Sequence, residues 1–138
     1  MKKIEQQSVF GFTLLEVLVV IIIIGSMAAL VIPSYSVHIE RVRASEGVSN
    51  LTALLAAQKR YQLENSIYAV SLASLDIDVA ASNNFDIPSV ANNAAAVAKI
   101  VRSDGNYTLC ISDIGVVTCD GLPEAAAVCA QYTIGTCS

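Results

Sequence analysis

Residues 11–33 have the sequence GFTLLEVLVVIIIIGSMAALVIP, which is the most apolar part of the chain. Between Phe12 and Pro33 the polar side chains are Thr13, Glu16 and Ser26. As an α-helix these 22 residues would extend about 33 Å, which is close to the thickness of the hydrocarbon core of a bilayer. The sequence therefore predicts that residues 12–33 form the transmembrane half of a helix.

The residues before this segment, MKKIEQQSVFG, are mostly polar and include Lys2 and Lys3. A secretory signal peptide has its apolar region before the cleavage site. Here the order is reversed, so that cleavage after Gly11 would remove the charges and leave the apolar segment at the new N-terminus. We expect residues 1–11 to be a cleaved leader peptide.

Helical periodicity continues beyond Pro33. Apolar side chains recur at three- and four-residue steps within residues 34–64, with charged side chains around them; they are Tyr35, Ile39, Val42, Val48, Leu51 and Leu55. We predict one continuous helix from about Phe12 to about Glu64, bent at Pro33 and also at Gly47. Its second half, residues 34–64, should be amphipathic and pack on a globular domain.

The sequence of residues 65–138 predicts a small globular head. A loop is expected from Val79 to Asn93, where Asn and Pro are frequent. Alternating and apolar stretches then predict strands at Val97–Arg102, Asn106–Ser112 and Val116–Cys119, with a turn at Asp113–Gly115 between the last two. The predicted fold class is α+β, with a long N-terminal helix packed on a small antiparallel sheet.

The four cysteines lie within the last 29 residues, at positions Cys110, Cys119, Cys129 and Cys137. An even number in a small domain behind a membrane segment predicts two disulfides formed in an oxidising compartment. A four-cysteine zinc site is the alternative, but it would require shorter spacings. Because the predicted hairpin brings Cys110 near Cys119, we predict the pairs Cys110–Cys119 and Cys129–Cys137.

Composition argues against several classes of function. The formal net charge is −4 and basic residues are not clustered, so nucleic-acid binding is not expected. His38 is the single histidine and lies on the predicted helix, which leaves no Ser-His-Asp or Cys-His grouping for catalysis. The loop acids Asp76, Asp78 and Asp86 lack the regular spacing of a calcium loop. We expect no enzyme activity, no cofactor and no metal.

Glu16 is the one carboxylate between Phe12 and Pro33. A charged side chain at the bilayer centre is unfavourable by about 2.5–3.5 kcal/mol on insertion scales, and by less near an edge. Cleavage after Gly11 would give Phe12 a free amino group, which Glu16 of a neighbouring copy could neutralise. Alternatively, the Glu16 carboxylate reaches water at the membrane surface. Both interpretations fit the spacing.

The string GFTLLEVLVVIIII, the later Pro33 and the long helix before a cysteine-containing sheet resemble type IV pilin precursors. The resemblance is close over residues 8–43 and weaker over Gln58–Asp76. It implies that a prepilin peptidase cuts after Gly11 and methylates the amine of Phe12, that the leader lies in the cytoplasm, and that Glu16 serves assembly through a neighbour's N-terminus. It also implies a bend at Pro33 and a head sheet usually of four strands.

The implied function is that of a structural subunit of a type IV pilus, used for adhesion, motility or DNA uptake. Its partners would be other copies of itself in a helical filament, the peptidase and the inner-membrane assembly machinery. The chain would span the inner membrane once before assembly and lie in an extracellular filament afterwards. Two alternatives share the N-terminal features: a pseudopilin of a type II secretion system, against which the cysteines argue, and a minor pilin that binds at the filament tip.

Overall fold

The computed structural model describes residues 11–79 and 82–137, except for the side chains of residues 30–34. The leader predicted at residues 1–11 therefore lies outside the described residues, apart from Gly11. The chain forms two compact units, with the boundary between Ser36 and Val37.

Helix α1 extends over Leu14–Asn65, which confirms the predicted continuous helix. It begins after Thr13, whose hydroxyl Oγ1 accepts a hydrogen bond from the backbone N–H of Glu16 at 3.2 Å. This is the usual way in which a threonine at a helix start satisfies a free backbone donor. The helix ends at Asn65, one residue beyond the predicted end, and the next residue, Ser66, has a positive φ of 63°.

The head contains a five-stranded sheet in which the strands are ordered β1-β2-β3-β4-β5. Their bounds are Ser89–Val90, Ala98–Val101, Tyr107–Ile111, Val117–Gly121 and Thr133–Ile134. The first four strands are antiparallel, and β5 pairs with β4 in parallel. A short helix, α2, follows β4 at Ala126–Cys129, after a 3-10 turn at Pro123–Ala125.

The three strands predicted from the sequence correspond to β2, β3 and β4. Strands β1 and β5 were not predicted, and β1 lies inside the expected loop of residues 79–93. Each has only two residues, which is too short for an alternating pattern. They are strands because β2 and β4 supply their hydrogen-bond partners.

The part of α1 that belongs to the head, residues 37–65, packs on one face of this sheet; we call it the head half of α1. Its fully buried residues include Ala44, Leu51 and Leu54, and the sheet contributes Ile100, Leu109 and Ile111. Gly47 lies in close contact with the head, because a Cβ added there would be 2.9 Å from Cζ of Phe85 and 3.2 Å from Cδ1 of Leu109. The structure thus gives Gly47 a packing role.

The two disulfides join different cysteines from those predicted. Cys110 in β3 is bonded to Cys137, with 5.7 Å between their Cα atoms, and Cys119 in β4 is bonded to Cys129 in α2, with 5.4 Å between theirs. The predicted pairs Cys110–Cys119 and Cys129–Cys137 are therefore wrong. The zinc alternative is excluded, because none of the four cysteines is free.

The register of the β3–β4 hairpin explains the error. Cys119 is paired with Leu109, and Cys110 is paired with Thr118. Directly opposed residues lie on the same face of a sheet, whereas consecutive residues in a strand lie on opposite faces. Cys119 therefore shares the helix-facing side with Leu109, while Cys110 lies on the outer face. The hairpin was predicted correctly, but a shift of one residue changes the face of every side chain.

The tight contact at Gly47 generates a prediction about stability. Gly47→Leu should lower the free energy of unfolding of the head by about 1–3 kcal/mol, because the new side chain would displace the buried ring of Phe85. Gly25→Leu, in the same helix but with no atom within 4 Å of an added Cβ, is the matched control. Thermal unfolding of both variants measures the difference. Equal stability would contradict the packing role of Gly47.

Candidate functional site

The first part of α1 exposes apolar side chains along its whole described length. The large apolar residues from Phe12 to Met27 are each between 45% and 83% exposed. The run Val17–Ile24 is uninterrupted, so this part of the helix has no polar face. A helix that is apolar on all sides requires an apolar environment around it. This surface is therefore the candidate functional site, and we call residues 12–27 the apolar segment.

The predicted membrane half, residues 12–33, is described only in part. The side chains of residues 30–34 lie outside the described set. The helical backbone continues through Pro33, and the bend expected there stays a prediction. Within the described portion of the chain, no helix has the combined length and apolar character needed to cross a membrane.

The start of α1 carries the residues predicted to act in processing and assembly. Gly11 and Phe12 precede the helix, and both are exposed. Thr13 and Glu16 have the spacing of a capping box, in which the first residue caps the helix and the acid lies in its first turn. The partial positive charge of the helix N-terminus favours a carboxylate at this position. The side chain of Glu16 is also exposed, so a partner outside the chain can reach it.

A buried ionic cluster attaches the head half of α1 to the sheet. Nε of Arg102 donates a hydrogen bond to Oε1 of Glu40 at 2.6 Å, and the hydroxyl of Tyr107 donates to the same oxygen at 3.1 Å. Arg43, one turn further along the helix, donates to Oε2 of Glu40 at 3.0 Å. The Arg102 side chain is only 8% exposed, so its charge must be compensated within the protein.

The guanidinium of Arg102 has further partners in the head. Its Nη1 donates to the backbone carbonyl of Asn84 at 2.5 Å, and its Cζ lies 5.9 Å from the centre of the Phe85 ring. The hydrogen bond from Arg102 holds the pKa of Glu40 below its ordinary value. Burial, with the neighbouring Glu40 carboxylate, raises the pKa of Tyr107, which therefore remains a protonated donor.

Two polar residues of α1, Gln58 and Glu46, make further contacts that were not predicted from the sequence. Gln58 is fully buried, and its amide nitrogen donates to the carbonyls of Ala69 and Val97, while its oxygen accepts from the backbone N–H of Ala69. Glu46 accepts from the Ser82 hydroxyl at 2.5 Å and from the Asn84 amide at 2.8 Å. Both lie on the inner side of the predicted amphipathic helix, and a polar residue in that position was the sequence signal that could have indicated these contacts.

The structure does not bring the loop acids considered for calcium into a site. Asp76 forms an ion pair with Arg60, whose Nη2 lies 2.9 Å from Oδ2 of Asp76. Among the described residues, no group of three or more His, Cys, Asp or Glu side chains is placed to hold a metal ion.

Similarity to known proteins points to one class. The chain is 37% identical to "Type II secretion system core protein G" of Vibrio cholerae over 84 residues, which are 61% of this chain and 56% of that protein. It is 42% identical to the protein of the same name from Klebsiella pneumoniae over 71 residues, 51% of each chain. It is also 42% identical to "Type IV major pilin protein PilA" of Myxococcus xanthus over 59 residues, 43% of this chain and 27% of that one. The chain is similar to type IV pilin-like proteins.

The matched regions span about half the length of the type II secretion proteins. No family model matches this pilin-like chain, and no solved structure matches it. The fold agrees with the class that the sequence resembles, since a long N-terminal helix packs on a mostly antiparallel sheet. The relatives are named as a secretion-system core protein and a pilin.

The ionic cluster generates a prediction about pH. Glu40 has a lowered pKa in the folded pilin-like head, so its contribution to stability is present above its ordinary pKa of 4.5 and is lost as the pH falls through the folded value. Glu40→Gln should lower the free energy of unfolding at pH 7 by about 1.5–3 kcal/mol, the usual value of a hydrogen bond between charged groups. Its stability should also depend less on pH below 4.5.

Thermal unfolding between pH 7 and pH 3 measures both effects. Glu124→Gln, which changes an exposed acid outside the cluster, is the control and should retain the wild-type profile. A Glu40→Gln profile that falls as steeply as the wild-type profile would contradict the role given to this cluster.

Proposed function

We propose that this pilin-like protein is a structural subunit of the pseudopilus of a type II secretion system. The observation that carries the proposal is the apolar segment, an exposed helix without a polar face at the N-terminal end of a chain whose remainder is a compact head. Among the relatives described above, the longer matches are to type II secretion core protein G.

The apolar segment supplies the energy of assembly in this proposal. Burial of one large aliphatic side chain contributes about 1.5–3 kcal/mol, and the segment has eleven large apolar side chains besides Phe12. Copies of the same helix, packed side by side, would cover this surface after a subunit leaves the bilayer. The head would remain on the outside of the resulting homo-oligomeric filament.

Processing at Gly11 would prepare the subunit for assembly. Cleavage by a prepilin peptidase would release the leader, and methylation would modify the new amine of Phe12. Glu16 lies in the first turn of α1, where its exposed carboxylate can approach the Phe12 amine of a neighbouring subunit. Before assembly, residues 12–33 would anchor the subunit in the inner membrane, where the assembly machinery would collect it.

A type IV pilus subunit is the second candidate. It is favoured by the match to the Myxococcus xanthus pilin and by the two disulfides, which suit a head exposed outside the cell. In both candidates the N-terminal helix performs the same task. They differ in the role of the filament, which is the secretion of other proteins in one and a surface fibre in the other.

A gene deletion distinguishes these candidates. In the source organism, loss of the gene should abolish secretion of exported enzymes into the medium, while the number of surface pili should stay unchanged. Loss of surface pili with normal secretion would instead support the type IV pilus and contradict the main proposal.

Complementation of the deletion tests the role of Glu16. Glu16→Ala should accumulate in the membrane as processed protein but fail to restore secretion, because an unpaired Phe12 ammonium within an apolar bundle is unfavourable by about 3–5 kcal/mol. Glu64→Ala, which removes an exposed carboxylate near the other end of α1, is the control and should restore secretion. Restoration by Glu16→Ala would show that this carboxylate has no role in assembly.

A further inference from the structure

The outer face of the sheet carries a row of side chains that crosses all five strands. Successive pairings join Ser89 to Lys99, Lys99 to Cys110, Cys110 to Thr118, and Thr118 to Thr133. Directly paired residues lie on the same face of a sheet. The Cys110–Cys137 disulfide is therefore in the middle of a polar row, and the ammonium group of Lys99 is on the strand beside it.

A groove opens at the end of this row that lies on β1 and β2. It has a volume of about 320 Å³, and Cys137, Lys99 and Ser89 are among the residues that line it. Cys110 is buried, with 2% of its surface exposed, whereas Cys137 is partly exposed. A thiolate entering the groove would thus reach Sγ of Cys137 rather than Sγ of Cys110.

The second disulfide has the opposite environment. Cys119 is 0% exposed and Cys129 is 4% exposed, and both belong to the hydrophobic core. A reagent in water reaches this bond only after the head opens. The two disulfides of one small domain therefore differ in their accessibility to thiols.

We propose that the Cys110–Cys137 disulfide is a site of thiol–disulfide exchange, which is opened by a dithiol reductant and stabilised in its reduced form by Lys99. One thiolate of the dithiol attacks Sγ of Cys137, which forms a mixed disulfide and releases Cys110 as a thiolate. The second thiolate of the reductant then attacks the reductant sulfur of the mixed disulfide. This closes a disulfide within the reductant and releases Cys137 as a thiolate. The reductant ends as a disulfide, the protein gains two thiols, and two electrons have passed to the protein.

Lys99 is directly paired with Cys110 on the neighbouring strand, which places a positively charged residue next to the residue that supplies the leaving sulfur. A neighbouring cation lowers the pKa of a thiol, and a thiol of lower pKa leaves more readily. We expect the charge of Lys99 to change the exchange rate by about three- to tenfold. The same ammonium group would hold the Cys110 thiolate until an oxidant closes the bond again.

Opening this disulfide would release the segment 133–137. The contacts of the segment besides the covalent bond include the two-residue pairing of β5, the N–H of Gly135 donating to the carbonyl of Cys119 at 3.2 Å, and the N–H of Cys137 donating to Asp120 at 3.3 Å. The Ile134 side chain is 74% exposed, so it contributes little apolar burial. Release would leave the edge of β4 open to pairing with another strand.

The test uses the full chain, purified in detergent and treated with limiting dithiothreitol. Free thiols are alkylated at intervals and located by peptide mass spectrometry. Cys110 and Cys137 should become alkylated together while Cys119 and Cys129 remain bonded. Hydrogen exchange at the backbone N–H groups of Gly135 and Cys137 should increase at the same time, while strand β3 stays protected.

Three variants isolate the contribution of Lys99. Lys99→Met should slow the reduction about three- to tenfold, and Lys99→Arg, which retains the charge, should reduce at nearly the wild-type rate. Lys59→Met removes another exposed lysine, which lies on α1, and should have no effect. Simultaneous reduction of both disulfides, or equal rates for Lys99→Met and Lys59→Met, would overturn the proposal. Neither outcome depends on whether the protein forms a filament.

Discussion

The helix is apolar on every side between Val17 and Ile24, and the exposure of apolar surface to water is unfavourable. This part of the helix therefore requires an apolar environment along its whole length. Within the described part of the chain this surface is exposed, since the large residues of the apolar segment are nearly half exposed or more. The environment must therefore come from lipid or from other protein molecules. The proposed function follows from this requirement, with lipid before assembly and other copies of the helix afterwards.

The same helix has a different pattern in the head. Ala44, Leu51 and Leu54 are buried there, and Gly47 lets the helix approach Phe85 and Leu109 closely. Polar residues on this side are bonded to the sheet or the loops, as Glu40 is to Arg102. This part of the helix is therefore attached to the sheet by both apolar packing and partly buried ionic contacts.

The parts of the fold that could be predicted are those with local signals. The extent of α1 follows from its periodicity, and β2, β3 and β4 follow from alternation and a turn. The disulfide pairs could not be derived, because they depend on a register that a local pattern does not define to one residue. The contact between Glu40 and Arg102 joins residues 62 positions apart, and no local rule selects that partner. Processing at Gly11 and the role of Glu16 concern other molecules and remain predictions.

The central claim is that the apolar segment of one subunit packs against that of another. Site-specific photo-crosslinking in the source organism tests it most directly, with a photoreactive residue at Ile23 and, as the control, at Ile134 on the exposed edge of the head. If the helices pack together, the Ile23 probe gives a covalent dimer of this chain which disappears when the assembly machinery is deleted, and the Ile134 probe gives far less of it. An Ile23 probe that forms no dimer in secreting cells would show that the apolar segments of neighbouring subunits do not pack together.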